Sequence, residues 1–314
     1  MAYNIAMNGK ILVTDSLFIF DEHVKQLEAA GYEVERLDKP QASEEELSNA
    51  IKGKIGYILG GIEKVTDKVI DAADELKVIA FTGSDWQTII PGWKKATEKG
   101  IKIANAPGAN AFAVAEFSVT LALAMQRNIF ELGRTGNRKF QTAQTFKNST
   151  IGVIGSGNIG SKIIKISKSF DPAKVLYFGR TKKDEIEAEF SELDRLLSQS
   201  DIIFVAVPGS AGLLLNDEKL KIVKAGSLLV SISPKNLIDF EALLPYLKKG
   251  ELRVAIDWPA PSPEFEGLPL SIWFSMNDHT AYNTHEATQK GSDMSIESIL
   301  NVLKTGSDQY VVNK

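Results

Sequence analysis

The sequence predicts an α/β protein with two doubly wound parallel sheets. Residues 1–110 and the stretch from residue 149 each alternate short apolar runs with amphipathic, charge-bearing segments of helical length. Strands that alternate with helices in this way form parallel β-α-β units. A chain of 314 residues also fits about two domains, each large enough for its own core.

The composition excludes several classes of function. Apolar residues make up 44% and charged residues 24%, as in ordinary globular proteins. The net charge of −4 gives no basic footprint for nucleic acid. The absence of cysteine excludes disulfides, thiolate metal sites and a cysteine nucleophile, and with three histidines we predict no metal site. We see no secretion signal and no apolar run of about 18 residues, so we expect a cytoplasmic protein that does not span a membrane.

The first series of elements is bounded by clear start and stop signals. Ser43 and Glu46 have the spacing of a capping box, and Gly31, Gly53 and Gly100 stand where helices should end. The predicted strands are residues 10–15, 32–38, 55–61, 77–83 and 101–108. The predicted helices between them are residues 21–31, 43–53, 66–75 and 92–100.

The second series follows one long, mostly apolar helix predicted at 111–130. Its strands are predicted at residues 149–154, 174–180, 201–209, 226–233 and 252–258. Its helices are predicted at residues 190–200, 216–226 and 239–250. The proline-rich stretch 258–270 predicts a loop that ends the alternation, and a last helix is predicted at 284–306.

A glycine motif predicts a dinucleotide site. Gly155, Gly157 and Gly160 form G-x-G-x-x-G between a predicted strand and a predicted helix. The first glycine permits a tight turn, the second lets a pyrophosphate approach the backbone, and the third lets helix and strand pack closely. The amides at the helix start then face the anion. The whole loop, including Ser156, Asn158 and Ile159, is a candidate cofactor site, and the alternative is a glycine-rich turn without ligand.

The end of the next strand favours NADP(H) over NAD(H). The stretch "YFGRTKK" places Arg180, Thr181 and Lys182 where an NAD site would have an acid for the ribose 2′-hydroxyl. An arginine can bind a 2′-phosphate with two parallel hydrogen bonds, and the lysine adds positive charge. The alternative is a solvated basic turn balanced by the following "DEIEAE".

With these motifs in place, nearly the whole chain resembles the D-isomer-specific 2-hydroxyacid dehydrogenase family. The resemblance is carried by "GIKIANAPGANAFAVAEFSVTLALAMQRNI", "TIGVIGSGNIGSKI", "LLSQSDIIFVAVPG", "AIDW" and "DHTAYNTHEA". It implies a Rossmann nucleotide domain, 111–283, inserted into a flavodoxin-like outer domain, 1–110 plus 284–314. It further implies that Val207 and Pro208 contact the cofactor, that substrate binds between the domains, and that the protein is a homodimer.

The resemblance also assigns the reaction chemistry. The family's proton donor matches His279, and its nicotinamide aspartate matches Asp257, for which a turn-capping role is the alternative. The family's arginine, which holds the substrate carboxylate and carbonyl, falls at Pro234, and its supporting glutamate falls at Ser262. One of the three catalytic residues is therefore retained. Lys235 is either a partial replacement for the arginine or a solvated turn lysine.

A candidate substrate loop lies in the first series. Gly83, Ser84 and Asp85 match the family's glycine loop, whose amides receive a carboxylate, and the alternative is an ordinary strand-to-helix turn. Trp86 would narrow the site or stack on a planar substrate.

Together these observations predict an NADP(H)-dependent reductase of a small-molecule 2-oxo acid or related carbonyl. Without the arginine and glutamate, we expect weak activity on simple 2-oxo acids. Two alternatives remain: a non-catalytic NADP(H)-binding sensor, and a reductase whose substrate lacks a 2-oxo carboxylate.

Overall fold

The computed structural model describes residues 8–14, 19–39, 41–136, 142–278 and 280–313. Within them the strands are β1 Lys10–Thr14, β2 Glu33–Leu37, β3 Gly56–Leu59, β4 Val78–Phe81, β5 Lys102–Ala104, β6 Thr150–Ile154, β7 Lys174–Phe178, β8 Glu189–Phe190, β9 Ile202–Val205, β10 Leu228–Ser231, β11 Arg253–Ile256 and β12 Trp273–Ser275. The helices are α1 Asp21–Ala29, α2 Glu44–Ala50, α3 Asp67–Ala72, α4 Trp86–Ile89, α5 Trp93–Glu98, α6 Ala111–Gln126, α7 Ile129–Thr135, α8 Asn158–Lys168, α9 Leu193–Gln199, α10 Asp217–Ile222, α11 Phe240–Lys248, α12 Pro263–Glu266 and α13 His285–Thr305.

The chain divides into two compact units. The first unit is Met1–Asn110 with Thr284–Lys314, and the second unit is Ala111–Asn283. The second unit is thus inserted in sequence between the two segments of the first. Each unit carries one parallel sheet with helices, so the predicted α/β fold class is confirmed.

The first unit is built on a five-stranded sheet in the order β2-β1-β3-β4-β5. Every pairing in it is parallel. All residues of β3 and β4 are buried, which explains why these strands read as continuous apolar runs. The 2-1-3-4-5 order is that of flavodoxin-like folds, in which ligands bind at the carboxyl ends of the strands. The segments after β3 and β4 leave the sheet at that edge.

Helix boundaries in the first unit follow the sequence signals. The Ser43 hydroxyl accepts from the Glu46 amide at 3.3 Å, and the Glu46 carboxylate accepts from the Ser43 amide at 3.0 Å, which completes the predicted capping box. Helix α13 begins after the Thr284 cap and ends before Gly306, whose φ of 82° is left-handed.

His23 has a structural role in the first unit. Its side chain is fully buried and links α1 to α13. The Nδ1 atom accepts from the Phe20 amide at 3.1 Å, so Nε2 carries the proton and donates to Asp293 Oδ1 at 3.0 Å.

The second unit is built on a seven-stranded sheet in the order β12-β11-β10-β9-β6-β7-β8, with every pairing parallel. If β6 is counted as the first strand of this unit and the sheet is read from β8 to β12, the order is 3-2-1-4-5-6-7. This is the Rossmann order with one added strand. The strand order reverses between β6 and β9. Ligands of such sheets bind at the carboxyl ends of the strands beside this reversal.

The helix predicted at 111–130 is wrong in its last turn. Helix α6 ends at Gln126, and Asn128 takes the left-handed conformation with φ 53° before α7 begins. Asparagine tolerates this conformation better than most residues, so the apolar pattern runs through a break that periodicity cannot detect. Among the described helices, α6 included, none is long and apolar enough to cross a bilayer.

The proline-rich stretch also differs from prediction. Residues 263–266 form the short helix α12, with Pro263 at its first position, where the missing amide costs nothing. The strand β12 then pairs with β11, so the sheet continues beyond the predicted end of the alternation.

Candidate functional site

The glycine loop after β6 has the shape that a bound pyrophosphate requires. Gly155 has φ of 111°, and a Cβ there would overlap the Ala206 carbonyl oxygen. A Cβ at Gly160 would overlap the Gly155 carbonyl oxygen, because helix α8 packs directly on the turn. Gly157 instead faces open space, with nothing within 4 Å of a Cβ built there. The first and third glycines therefore serve chain packing, and the second leaves the backbone accessible at the start of α8.

The other residues of this loop differ in their exposure to solvent. Asn158 is exposed, whereas Ser156 and Ile159 are half-buried. Ile159 packs against an apolar cluster at the carboxyl ends of β9 and β10. The buried members of this cluster are Val114, Ile232 and Ala281, with Phe117, Ala206 and Tyr282 packed against them. The cluster gives the loop an apolar wall on one side.

The basic turn after β7 is held against the glycine loop. The Tyr177 hydroxyl accepts from the Lys183 amide at 2.8 Å and donates to the Lys183 carbonyl at 3.2 Å. The Lys183 ammonium donates to the Ser156 carbonyl at 2.8 Å. A Cβ at Gly179 would lie 2.5 Å from the Ser156 hydroxyl, so the turn and the loop are in close contact. Sequence reasoning quoted Lys183 within the turn but did not assign it this bridging role.

The exposed cations of this turn make no ion pair with the acidic stretch that follows. Arg180 and Lys182 are exposed and make no ion pair within the described ranges. Glu187 pairs with Lys168, and Glu189 pairs with Lys174 and Arg195. Hydrogen bonds from these bases lower the pKa of both glutamates below the ordinary value. The last two acids of "DEIEAE" therefore pair with other bases, whereas Asp184 and Glu185 are exposed next to the turn.

The loops after β9 and β10 are tied together. The Ser233 hydroxyl accepts from the Val207 amide and donates to the Val205 carbonyl, each at 3.0 Å. The Asn236 side chain donates to the Gly209 carbonyl at 2.8 Å. The sequence analysis did not predict a role for Ser233 or Asn236, because their hydrogen-bond partners lie more than 20 residues away in the chain.

Pro234 and Lys235 stand at this tied edge. Pro234 is half-buried and begins a 3-10 turn, with φ −53° and ψ 147°. The Lys235 side chain is exposed and makes no hydrogen bond or ion pair with any residue that the structure describes. Pro208, on the neighbouring loop, is exposed as well. The positive charge that this strand end offers is thus the ammonium of Lys235.

Asp257 holds the segment that follows the predicted proton donor. Its side chain is fully buried at the end of β11. One carboxylate oxygen accepts from the Thr280 amide at 3.2 Å, and the other accepts from the Ala281 amide at 3.1 Å. His279 itself lies outside the described residues. Asp257 therefore anchors the chain immediately after residue 279, in line with the capping alternative, and its contact with nicotinamide stays a prediction.

Ser262, at the family's glutamate position, caps a helix. It is the residue before α12, and its carbonyl accepts from the Phe265 amide at 3.2 Å. Its side chain carries no charge, so it cannot take over the role of a carboxylate beside a histidine.

In the first unit, the segment after β4 presents unused amides. The carbonyl of Gly83 accepts from the Ala106 amide at 3.0 Å, and that of Ser84 accepts from the Asn105 side chain at 3.0 Å. The amides of Gly83, Ser84 and Asp85, by contrast, donate to no described residue. Free N–H groups in succession can bind an anion where they point to one place.

Trp86 is less free than the sequence suggested. It begins α4 and packs edge-to-face on Trp93, with ring centroids 5.7 Å apart. The side chain is half-buried and also packs against the apolar core of the first unit, so only part of it faces solvent.

Comparisons with known proteins agree with this arrangement. Residues 119–281 match the family model described as the D-isomer specific 2-hydroxyacid dehydrogenase, NAD binding domain. The chain is 34% identical over 300 residues to a glyoxylate reductase of Thermofilum pendens, covering 89% of this chain and 87% of that protein. It is 31% identical over 318 residues to a D-3-phosphoglycerate dehydrogenase of Methanocaldococcus jannaschii, covering 97% of this chain and 59% of that protein. A crystal structure of a protein from Thermus thermophilus is 27% identical, with a TM-score of 0.83 and coverage of 96% of this chain and 99% of that one.

Proposed function

Because this chain belongs to the D-isomer-specific 2-hydroxyacid dehydrogenase family, we propose that it is an NADP(H)-dependent reductase of a 2-oxo acid or related carbonyl. At the coarser level it is an oxidoreductase of this type that uses a nicotinamide dinucleotide. In the proposal, residues 111–283 hold the cofactor, and residues 1–110 with 284–314 supply the substrate loop.

The observation that carries the choice of NADP(H) is the basic turn beside the glycine loop. A 2′-phosphate adds two negative charges near the end of β7, where an NAD site would place a carboxylate. Arg180 and Lys182 are exposed there without ion pairs to any described residue, and Lys183 brings a third ammonium to the Ser156 carbonyl. The Thr181 hydroxyl adds a donor. These groups favour a dianion, and the open backbone at Gly157 accommodates the pyrophosphate.

Arg180→Ala is expected to weaken NADPH binding about ten- to hundredfold, because a charge-assisted hydrogen bond contributes about 1.5–3 kcal/mol. NADH binding should change little, since its ribose hydroxyl carries no charge. Fluorescence titration of both cofactors measures the difference. Arg134→Ala is the matched control, because Arg134 is an exposed arginine at the end of α7 with no ion pair among described residues. Equal weakening of both cofactors would contradict the NADP(H) assignment.

The proposed reduction assigns a role to each remaining group of this chain. When bound, NADPH supplies the hydride. The amides of Gly83, Ser84 and Asp85 hold the substrate carboxylate, and His279 donates the proton to the carbonyl oxygen. Asp257 fixes the backbone after His279, and the apolar wall of Ile159, Ile232 and Ala281 excludes water. Lys235 supplies the positive charge that Pro234 cannot.

Two alternative functions rest on the residues at the family's arginine and glutamate positions. Pro234 cannot donate a hydrogen bond and Ser262 cannot carry a charge, which favours either a non-catalytic NADP(H) sensor or a carbonyl substrate without a 2-oxo carboxylate. The sensor predicts cofactor binding with no turnover of any carbonyl. The second alternative predicts turnover of aldehydes or ketones in preference to 2-oxo acids.

We further propose that the protein is a homodimer formed through the second unit. Phe112, at the start of α6, is 58% exposed, and Ile129, at the start of α7, is 56% exposed. An interface would remove these two apolar side chains from water, which supports the proposal. Light scattering should give twice the chain mass of 34.3 kDa. Phe112→Asp should reduce that value to the monomer mass, and an unchanged dimer would place the interface elsewhere.

A further inference from the structure

Tyr177, the fourth residue of β7, buries a hydroxyl group at the base of the basic turn. Its side chain is fully buried in an apolar cluster of the second unit, and its ring packs edge-to-face on Phe190 with ring centroids 5.3 Å apart. A phenylalanine would fill the same space without a polar atom, whereas a buried tyrosine hydroxyl needs hydrogen-bond partners. The location of those partners therefore shows what the hydroxyl holds in place.

Both hydrogen bonds of this hydroxyl are made with the backbone of one residue, Lys183. The hydroxyl accepts from the Lys183 amide at 2.8 Å and donates to the Lys183 carbonyl at 3.2 Å. The same carbonyl accepts from the amide of Ile186 at 3.3 Å, and Ile186 is buried in the cluster that holds Tyr177. The far end of the turn is thus fixed to the core of the second unit.

The near end of the turn is fixed by the sheet. The Phe178 carbonyl, at the end of β7, accepts from the Gly155 amide at 2.8 Å. The side chains of Arg180, Thr181 and Lys182 lie between these two fixed ends, and all three are exposed. A segment held at both ends has fewer conformations to lose than one held at a single end, so less entropy is lost when a bound anion orders it.

We infer that Tyr177 is a positioning residue that sets the preference for NADPH by preorganising the basic turn for the 2′-phosphate. The inference deepens the proposed function and rests on it for the identity of the cofactor. The hydroxyl is buried and acts only through the residues that it holds. Its removal should therefore lower affinity for NADPH, which carries the phosphate, and leave affinity for NADH nearly unchanged.

Tyr177→Phe tests the inference, because it keeps the packing of the ring and removes both hydrogen bonds. Fluorescence titration should show NADPH affinity lowered about five- to twentyfold and NADH affinity changed by no more than about twofold. Tyr246→Phe is the matched control and should change neither affinity. Tyr246 is a half-buried residue of α11 in the same unit, and its hydroxyl makes no hydrogen bond with any described residue.

A double-mutant cycle separates positioning of the turn from general damage to the unit. In the Arg180→Ala background, Tyr177→Phe should lower NADPH affinity by no more than about twofold, because the main group that it positions has been removed. Full effects that multiply in the double variant would overturn the inference, as would equal weakening of NADPH and NADH by Tyr177→Phe. A wild type that binds NADH as tightly as NADPH would overturn the NADP(H) assignment first, and the inference with it.

Hydrogen exchange of the cofactor-free protein measures the clamp without any ligand. The amides of residues 179–183 should exchange faster in Tyr177→Phe than in the wild type, because the turn is then held at one end only. Tyr246→Phe should leave these rates unchanged. Unchanged exchange in Tyr177→Phe would overturn the inference and leave the NADP(H) assignment intact.

Discussion

Replacing His279 by alanine is expected to reduce carbonyl reduction about 10²- to 10⁴-fold, the usual contribution of a positioned general acid. The proton that neutralises the new alkoxide would then have to come from water. NADPH affinity should not change, because the glycine loop and the basic turn that bind the cofactor are separate from residue 279 in sequence. The measurement has two parts: NADPH oxidation with the best carbonyl found by screening the wild type, and NADPH titration of the variant.

His285→Ala is the matched control for this prediction. His285 lies six residues further on as the first residue of α13, and its ring contacts Phe20 in the first unit. Its replacement should leave turnover within about twofold, the range expected for a residue outside the chemistry. Full activity in His279→Ala would remove the proposed proton donor. A wild type that binds NADPH and reduces no 2-oxo acid, aldehyde or ketone would favour the sensor.

Asp257 positions the chain next to His279. Its two oxygens bind the amides of Thr280 and Ala281, so the buried carboxylate places the backbone on the C-terminal side of His279. The motif "AIDW" predicts that this aspartate lies at the end of a strand. That the carboxylate binds the chain 23 and 24 residues later could not be predicted, because hydrogen bonds across loops leave no local pattern in a sequence.

The parts of the fold that the sequence predicts well are those set by local rules. Buried parallel strands read as apolar runs, and caps such as Ser43 with Glu46 mark helix starts by residue type and spacing. The glycine loop was likewise predictable, since Gly160 lets helix α8 pack on the turn after β6 and Gly155 takes a positive φ.

The features that the sequence does not predict depend on contacts between residues that are distant in the chain. Nothing in "GGIEKVT" indicates that Glu63 is buried and Ile62 exposed, because the donor that holds Glu63 is Tyr57 on β3. The bridge from Lys183 to Ser156 likewise joins residues 27 apart. The Lys183 contact supports the cofactor proposal, and sequence reasoning could not have found it.

Pro234→Arg is expected to raise kcat/KM for glyoxylate and pyruvate about ten- to hundredfold. A guanidinium at this strand end would bind the carboxylate with two hydrogen bonds and polarise the carbonyl, and a charge-assisted hydrogen bond contributes about 1.5–3 kcal/mol. The backbone permits the change, because φ −53° and ψ 147° suit any residue, and proline has no amide whose bond could be lost. Pro234→Gln, which can donate a hydrogen bond but carries no charge, should gain little.

The pH profile of the same variants tests the absence of the family's glutamate, whose position is occupied by Ser262. With no carboxylate at Ser262 to stabilise an imidazolium, wild-type turnover should decline above about pH 6.5, the ordinary value for imidazole. A carboxylate beside a histidine favours the charged form and raises its pKa, so the active protonated donor persists to higher pH. Ser262→Glu in the Pro234→Arg background should therefore shift the decline upward, while Pro234→Arg alone should raise the rate without an upward shift, because a guanidinium does not favour the imidazolium. An unchanged rate with arginine at position 234, or a wild-type profile that is flat from about pH 5 to 8, would show that carbonyl polarisation does not depend on these two positions.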